Sequence, residues 1–138
     1  MKKFVCVVAI TVAVTTTTAT ATTGTPRALT TLSLTCKGAV GWNRAASFVG
    51  RVATVTGRVA GTKYASSSNG SPTFLNVGVD YPDPNRFTVV IWIENRSAFG
   101  RPETRYRGHT ICVRGLISSY AGGAEIIAHT PSQITITR

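Results

Sequence analysis

The sequence predicts an all-β domain, a small closed barrel of five strands. Three observations carry this reading. Five short apolar or alternating stretches are separated by turn residues, a longer stretch without β alternation lies between the third and fourth, and glycines fall inside the first and fourth. A glycine inside a strand marks a bulge or a bend. A bent strand can serve two sides of a barrel, and closing the barrel removes exposed edges.

The first strand is expected over 48–64, "FVGRVATVTGRVAGTKY", with Val49, Val52, Val55 and Val59 apolar and Arg51, Thr54, Thr56 and Arg58 between them. Gly50, Gly57 and Gly61 punctuate it. The loop "ASSSNGSP" (65–72) contains the turn pair Asn69-Gly70. "TFLNVGV" (73–79) is the second strand, with Phe74 and Asn76 on one face and Leu75 and Val77 on the other. "DYPDPN" (80–85) is a tight connection into "RFTVVIWIE" (86–94), the most apolar strand. There Phe87, Val89, Ile91 and Ile93 form the expected core side, and Thr88, Val90 and Trp92 the other. The stretch 95–108 is an irregular insert with a helical turn near Ser97–Phe99. "HTICVRGLISSY" (109–120), the "AGG" turn and "AEIIAHT" (124–130) give the last two strands, and "SQITITR" extends or follows them. This is the layout of an OB-fold, a five-stranded Greek-key barrel with a short insert between strands three and four. A β-sandwich would want about seven strands.

The extreme N-terminus is set apart. Lys2 and Lys3 precede an apolar run of 11 residues (4–14), followed by a threonine-rich stretch containing Ala19-Thr20-Ala21. That is the order of a secretory signal peptide. An uncleaved membrane anchor is the competing reading, but 11 residues fall short of the ~20 a spanning helix needs. A lipoprotein reading fails because Thr35 precedes Cys36 and the apolar run lies far upstream. The expected organisation is a signal peptide over 1–21, a Thr-rich leader and N-terminal extension over 22–44, and the barrel over 45–138. The expected product is secreted, with no stable membrane insertion after cleavage.

Cys6 leaves with the signal, and Cys36 and Cys112 remain. Two cysteines in an exported protein most often pair. The two cysteines and two distant histidines have no metal-ligand spacing, so no metal or cofactor is expected. The chain carries +10, and removing Lys2 and Lys3 leaves 13 basic against 5 acidic residues. Eleven of those 13 are arginine, the cation suited to phosphate and to stacking on flat rings. A polyanionic partner fits this balance; so does adhesion to an acidic envelope.

The segments "VTGRVAGTKY", "GSPTFLNVGVDYP", "FTVVIW", "YRGHTICVRGLISSYAGGAEII" and "TPSQI" together resemble a family of small bacterial OB-fold modules. These occur alone in exported proteins or appended to extracellular nucleases, and are described as nucleic-acid-binding. The likeness runs over about 45–136 and implies the barrel and its ligand class.

An OB-fold usually binds on strands two and three, between the first and last hairpin loops. On that geometry Trp92 is an expected platform for a base, Tyr64 and Tyr120 stack from the loops, and Asn76, sharing a face with Phe74, is a reader of a base edge. Trp92 can instead cover an end of the barrel, and Asn76 can satisfy the neighbouring turn. Lys63 and Tyr64 enter the first loop and Tyr120 the last, while Arg58 and Arg114 point outward to track phosphates. Arg96, Arg101, Arg105 and Arg107 crowd the insert at the barrel's other end and form a solvated face or a second anionic contact.

No catalysis is expected. Asp80 and Asp83 sit in a turn where Asp bonds its own backbone, His109 and His129 have no partner placed by motif, and no Ser-centred elbow is present. The leading function is therefore binding of single-stranded DNA or RNA, or another polyanion. The alternatives are an oligosaccharide- or envelope-polymer-binding module and a protein-contact module.

Overall fold

A computed structural model describes residues 36–137; the expected signal peptide and most of the leader lie outside them. The described chain is mostly β. Its strands are β1 (Val40–Gly41), β2 (Val52–Tyr64), β3 (Thr73–Val77), β4 (Phe87–Ile91), β5 (Thr110–Tyr120), β6 (Gly123–Ile127) and β7 (Ile134–Thr137). Two short helices, α1 (Ile93–Phe99) and α2 (Pro102–Arg105), join β4 to β5. Among the described residues no helix is long and apolar enough to cross a membrane.

The sheet has seven strands where five were expected. β2 pairs antiparallel with β3, β3 with β4, and β5 with both β6 and β2, while β4 and β6 run parallel. These pairings return to β2, so five strands form a closed circuit. The additional strands flank it: β1 lies parallel to β2 and β7 antiparallel to β5. The expected domain start at residue 45 falls within a 3-10 segment, Trp42–Phe48, and the paired chain begins upstream at Val40.

Closure depends on the glycines. Residues 52–58 of β2 pair with β5 and residues 59–64 with β3, with a register shift between Val59 and Gly61. β5 divides likewise: 110–116 face β2, and 117–120 face β6. Two residues before the switch, a Cβ on Gly115 would stand 2.6 Å from the Ile126 side chain. Each long strand thus turns its corner within two residues of a position without a side chain.

The core holds Val55 and Val59 of β2, Leu75 and Val77 of β3, and Phe87, Val89 and Ile91 of β4. Phe99 and Tyr106 close it from the insert. Several expected positions move. Ile93 is exposed because the chain leaves the sheet at Ile91 and enters α1, with Trp92 as its N-cap. Val90 is buried although it faces away from Phe87 and Val89. Val49 and Val52 are exposed, Val52 opposite exposed Leu116, because Val49 precedes the strand and Val52 falls on the face opposite Ala53 and Val55.

Cys36 and Cys112 form a disulfide, with Cα atoms 5.7 Å apart. It ties the chain just before β1 to the first residues of β5.

Candidate functional site

The outer face of β3, β4 and β6 carries a polar row set by strand register. Asn76 lies opposite Thr88, Thr88 beside Glu125, and Glu125 opposite Ser118. Gly61 completes the row opposite Asn76. Asp80 occupies the space a Cβ on Gly61 would fill. Its Oδ1 accepts from Asn76 Nδ2 at 2.7 Å and from the Tyr81 N–H at 2.8 Å. The expected turn role of Asn76 is thus observed, and it brings a carboxylate over the sheet.

The connection 80–85 is pinned from both ends. Asp83 Oδ1 accepts from the Asn85 N–H at 2.8 Å, and Arg86 Nη1 donates to the Asp83 carbonyl at 2.7 Å. The Arg86 guanidinium stands 5.2 Å from the centre of the Tyr81 ring, within cation–π range. On the other side the β5–β6 hairpin turns through Ala121 and Gly122, both with positive φ. Consecutive positive φ values match the twist of a two-residue hairpin turn, and they fix Tyr120 at the end of β5.

Between these turns lies a cleft of about 750 Å³. Asn76, Thr88, Asp80 and Glu125 line it. Phe74, Tyr81 and Tyr120 supply rings, and Lys63 and Arg86 supply cations. Tyr81 and Tyr120 are 72% and 74% exposed, so neither ring is committed to the core. Two cations and two carboxylates leave the cleft itself with balanced charge. The wider domain is basic, with 11 Lys and Arg against 5 Asp and Glu over 36–137.

Of the expected site residues, the cleft brings together Lys63, Phe74, Asn76 and Tyr120. It does not include the other four. Trp92 is not on a strand; its ring lies against the backbone of Gly70 and holds down the 65–72 loop. Tyr64 lies under the Arg96 guanidinium at 4.0 Å, and Arg96 is held by Glu103 at 2.7 Å and Thr73 Oγ1 at 3.3 Å. Arg58 is exposed and donates through Nε to the Gly108 carbonyl at 3.2 Å. Arg114, outward on β5, reaches Thr54 Oγ1 at 3.5 Å.

Tyr81, Arg86, Thr88 and Glu125 were not expected in the site. A tyrosine in a proline-rich turn and a lone carboxylate in the apolar strand "AEII" were the available signals. Among the described residues no three His, Cys, Asp or Glu side chains gather as a metal site.

Burial raises the Glu125 carboxyl above its usual pKa, and the Ser118 hydroxyl offsets this in part. A raised folded-state pKa means that ionisation opposes folding. The contribution to stability is present below the unfolded pKa and lost as pH rises through the folded one. Glu125→Gln is therefore expected to melt higher than wild type at neutral pH and to match it near about pH 3, where both side chains are neutral. Melting curves across that range test this; a Glu125→Gln variant less stable at neutral pH would contradict it.

No protein-family model matches the chain, and no curated protein matches it. Among solved structures it is similar to an OBody bound to hen egg-white lysozyme, with 19% identity, TM-score 0.45, 66% of this chain and 83% of that chain. It is similar to the S. pombe Stn1–Ten1 complex, with 23% identity, TM-score 0.45, and coverages of 62% and 57%. A third is asparaginyl-tRNA synthetase from Pyrococcus horikoshii, with 16% identity, TM-score 0.45, and coverages of 67% and 20%. Likeness at this level says nothing of what this chain binds.

Proposed function

We propose that this chain is an exported binding module, without catalytic activity, whose closed circuit is a five-stranded OB-type barrel that holds single-stranded nucleic acid across β3, β4 and β6. The circuit runs β2-β3-β4-β6-β5 with one parallel pair, in keeping with a Greek-key path. The usual ligand face of such a barrel is its second and third strands with the first and last hairpin loops. Here those are β3, β4, the 65–72 loop and the 121–122 turn.

The observation that carries the reading is the cleft on that face, where three rings surround a polar floor and two cations stand beside them. Bases stack on such rings whatever their sequence, while cations follow the backbone. The disulfide supports the export reading, since such bonds persist in oxidising compartments.

The test is fluorescence anisotropy with single-stranded DNA over a salt series. Affinity is expected to fall steeply with salt, and Lys63→Ala to flatten the log–log slope by about 0.7. Tyr81→Ala and Tyr120→Ala should each weaken binding by roughly 1–3 kcal/mol with the slope retained. Absence of salt-dependent binding to any single strand at low ionic strength would refute the reading.

The carboxylate-lined floor favours a second reading, an oligosaccharide whose hydroxyls donate to Asp80 and Glu125. Competition by neutral glycans separates the two. A neutral glycan would gain little from the basic excess of the domain, which is why the single strand is the preferred occupant.

A further inference from the structure

The geometry points to base selectivity: the cleft takes bases that carry an exocyclic amino group, cytosine above all, and disfavours thymine and uracil. This rests on the single-strand reading above and adds which unit enters the cleft. The ground is the sense of the hydrogen bonds on the floor.

Asp80, as a carboxylate, only accepts. The Asn76 amide must therefore turn its nitrogen toward Asp80 Oδ1, as the 2.7 Å contact has it. That leaves the Asn76 carbonyl oxygen for a ligand. Asp80 Oδ1 is already taken by two N–H groups, and Oδ2 has no hydrogen bond among the described residues. Two registers along the row, across Thr88, stands the Glu125 carboxylate. The floor is thus rich in acceptors. Its donors are the second Asn76 N–H, the Thr88 hydroxyl, which can also accept, and Lys63, while Arg86 is engaged with the Asp83 carbonyl and the Tyr81 ring.

A base entering between the rings must bring donors to such a floor. Cytosine offers its N4 amino group, and a carboxylate accepting from that group is an established pairing by geometry. Thymine places a carbonyl oxygen at the same position. That oxygen would face a carboxylate and leave both acceptors unpaired, so the floor repels the wrong base as well as holding the right one. The net positive charge of the domain supplies general attraction for the strand, and the two carboxylates select within it.

The experiment compares oligo-dC and oligo-dT of equal length at pH 7.5 and low ionic strength, on wild type and Glu125→Gln. Wild type is expected to bind oligo-dC about tenfold tighter, within the range one base-edge contact supplies. Glu125→Gln removes a negative charge at nearly constant shape. It should bind oligo-dT as tightly as wild type or tighter, and compress the dC:dT ratio severalfold. A merely structural role for Glu125 would move both affinities together. Equal wild-type affinities for the two oligomers, or a ratio untouched by Glu125→Gln, overturn the selectivity and leave the single-strand reading standing. Binding of neither oligomer, with a neutral oligosaccharide bound in a Tyr120-dependent way, overturns both.

Discussion

Gly78→Ala is expected to cost about 4 kcal/mol of stability, from two terms that add at one atom. Gly78 follows β3 with φ +89, a backbone conformation that costs an L-residue roughly 1–3 kcal/mol. Its missing Cβ also makes room for a ring, because a Cβ there would fall inside the Trp42 indole. Gly57 stands under the same ring, 2.7 Å from Trp42 Cδ1 at its virtual Cβ. The indole therefore lies in a slot formed by a glycine of β2 and the glycine that follows β3, packed against the core. Alanine at 78 would drive it out and forfeit part of the ~3–5 kcal/mol that a large aromatic contributes. Gly50→Ala separates the terms, since Gly50 has φ +85 but no atom within 4 Å of its virtual Cβ. That variant should lose only the backbone term. Urea unfolding measures both, and a Gly78→Ala cost within error of Gly50→Ala would mean that Trp42 is not seated there.

Trp42 also marks where sequence reading stopped. The strands of the closed circuit were legible because β-branched and aromatic residues gather between turn residues, and β2 through β6 fall within a few residues of the expected spans. β1 was not, because two residues carry no period. Its partner in β2 is set by tertiary contact. The end of β4 was misplaced because Ile93 continues an apolar alternation that the helix overrides, with Glu94 in the first turn favouring the helix dipole.

The site divides the same way. Lys63, Phe74, Asn76 and Tyr120 flank turns that the sequence announces, and the pairing of β2, β3, β4, β6 and β5 brings them to one cleft. Glu125 reaches Thr88 only through the parallel pairing of β4 and β6. These strands are separated in the chain by the whole insert and β5, and no local pattern encodes that register. Tyr81 and Arg86 looked like parts of a tight connection. Their role comes from the way Asp80 and Asp83 fold that connection over the sheet face.

The disulfide should contribute stability comparable to the Gly78 term, by a different route. Cys36 and Cys112 are 76 residues apart, and cross-linking a loop of that length removes about 4 kcal/mol of entropy from the unfolded chain. A domain of this size has only about 5–15 kcal/mol in total, so reduction should bring it close to its limit. Cys36→Ala is the suitable variant. Cys112 is fully buried in β5, and truncating it would add a cavity cost to the loss of the bridge. Guanidinium unfolding of wild type should shift to lower denaturant when reductant is added, whereas Cys36→Ala should start at the lower midpoint and ignore reductant. A wild-type midpoint unchanged by reductant would count against the bridge as a stabilising element. Provided it folds at low temperature, Cys36→Ala should still bind as wild type does, because the cleft is built from β2, β3, β4, β6, Tyr120 at the far end of β5 from Cys112 and the loops between strands, and takes nothing from 36–41.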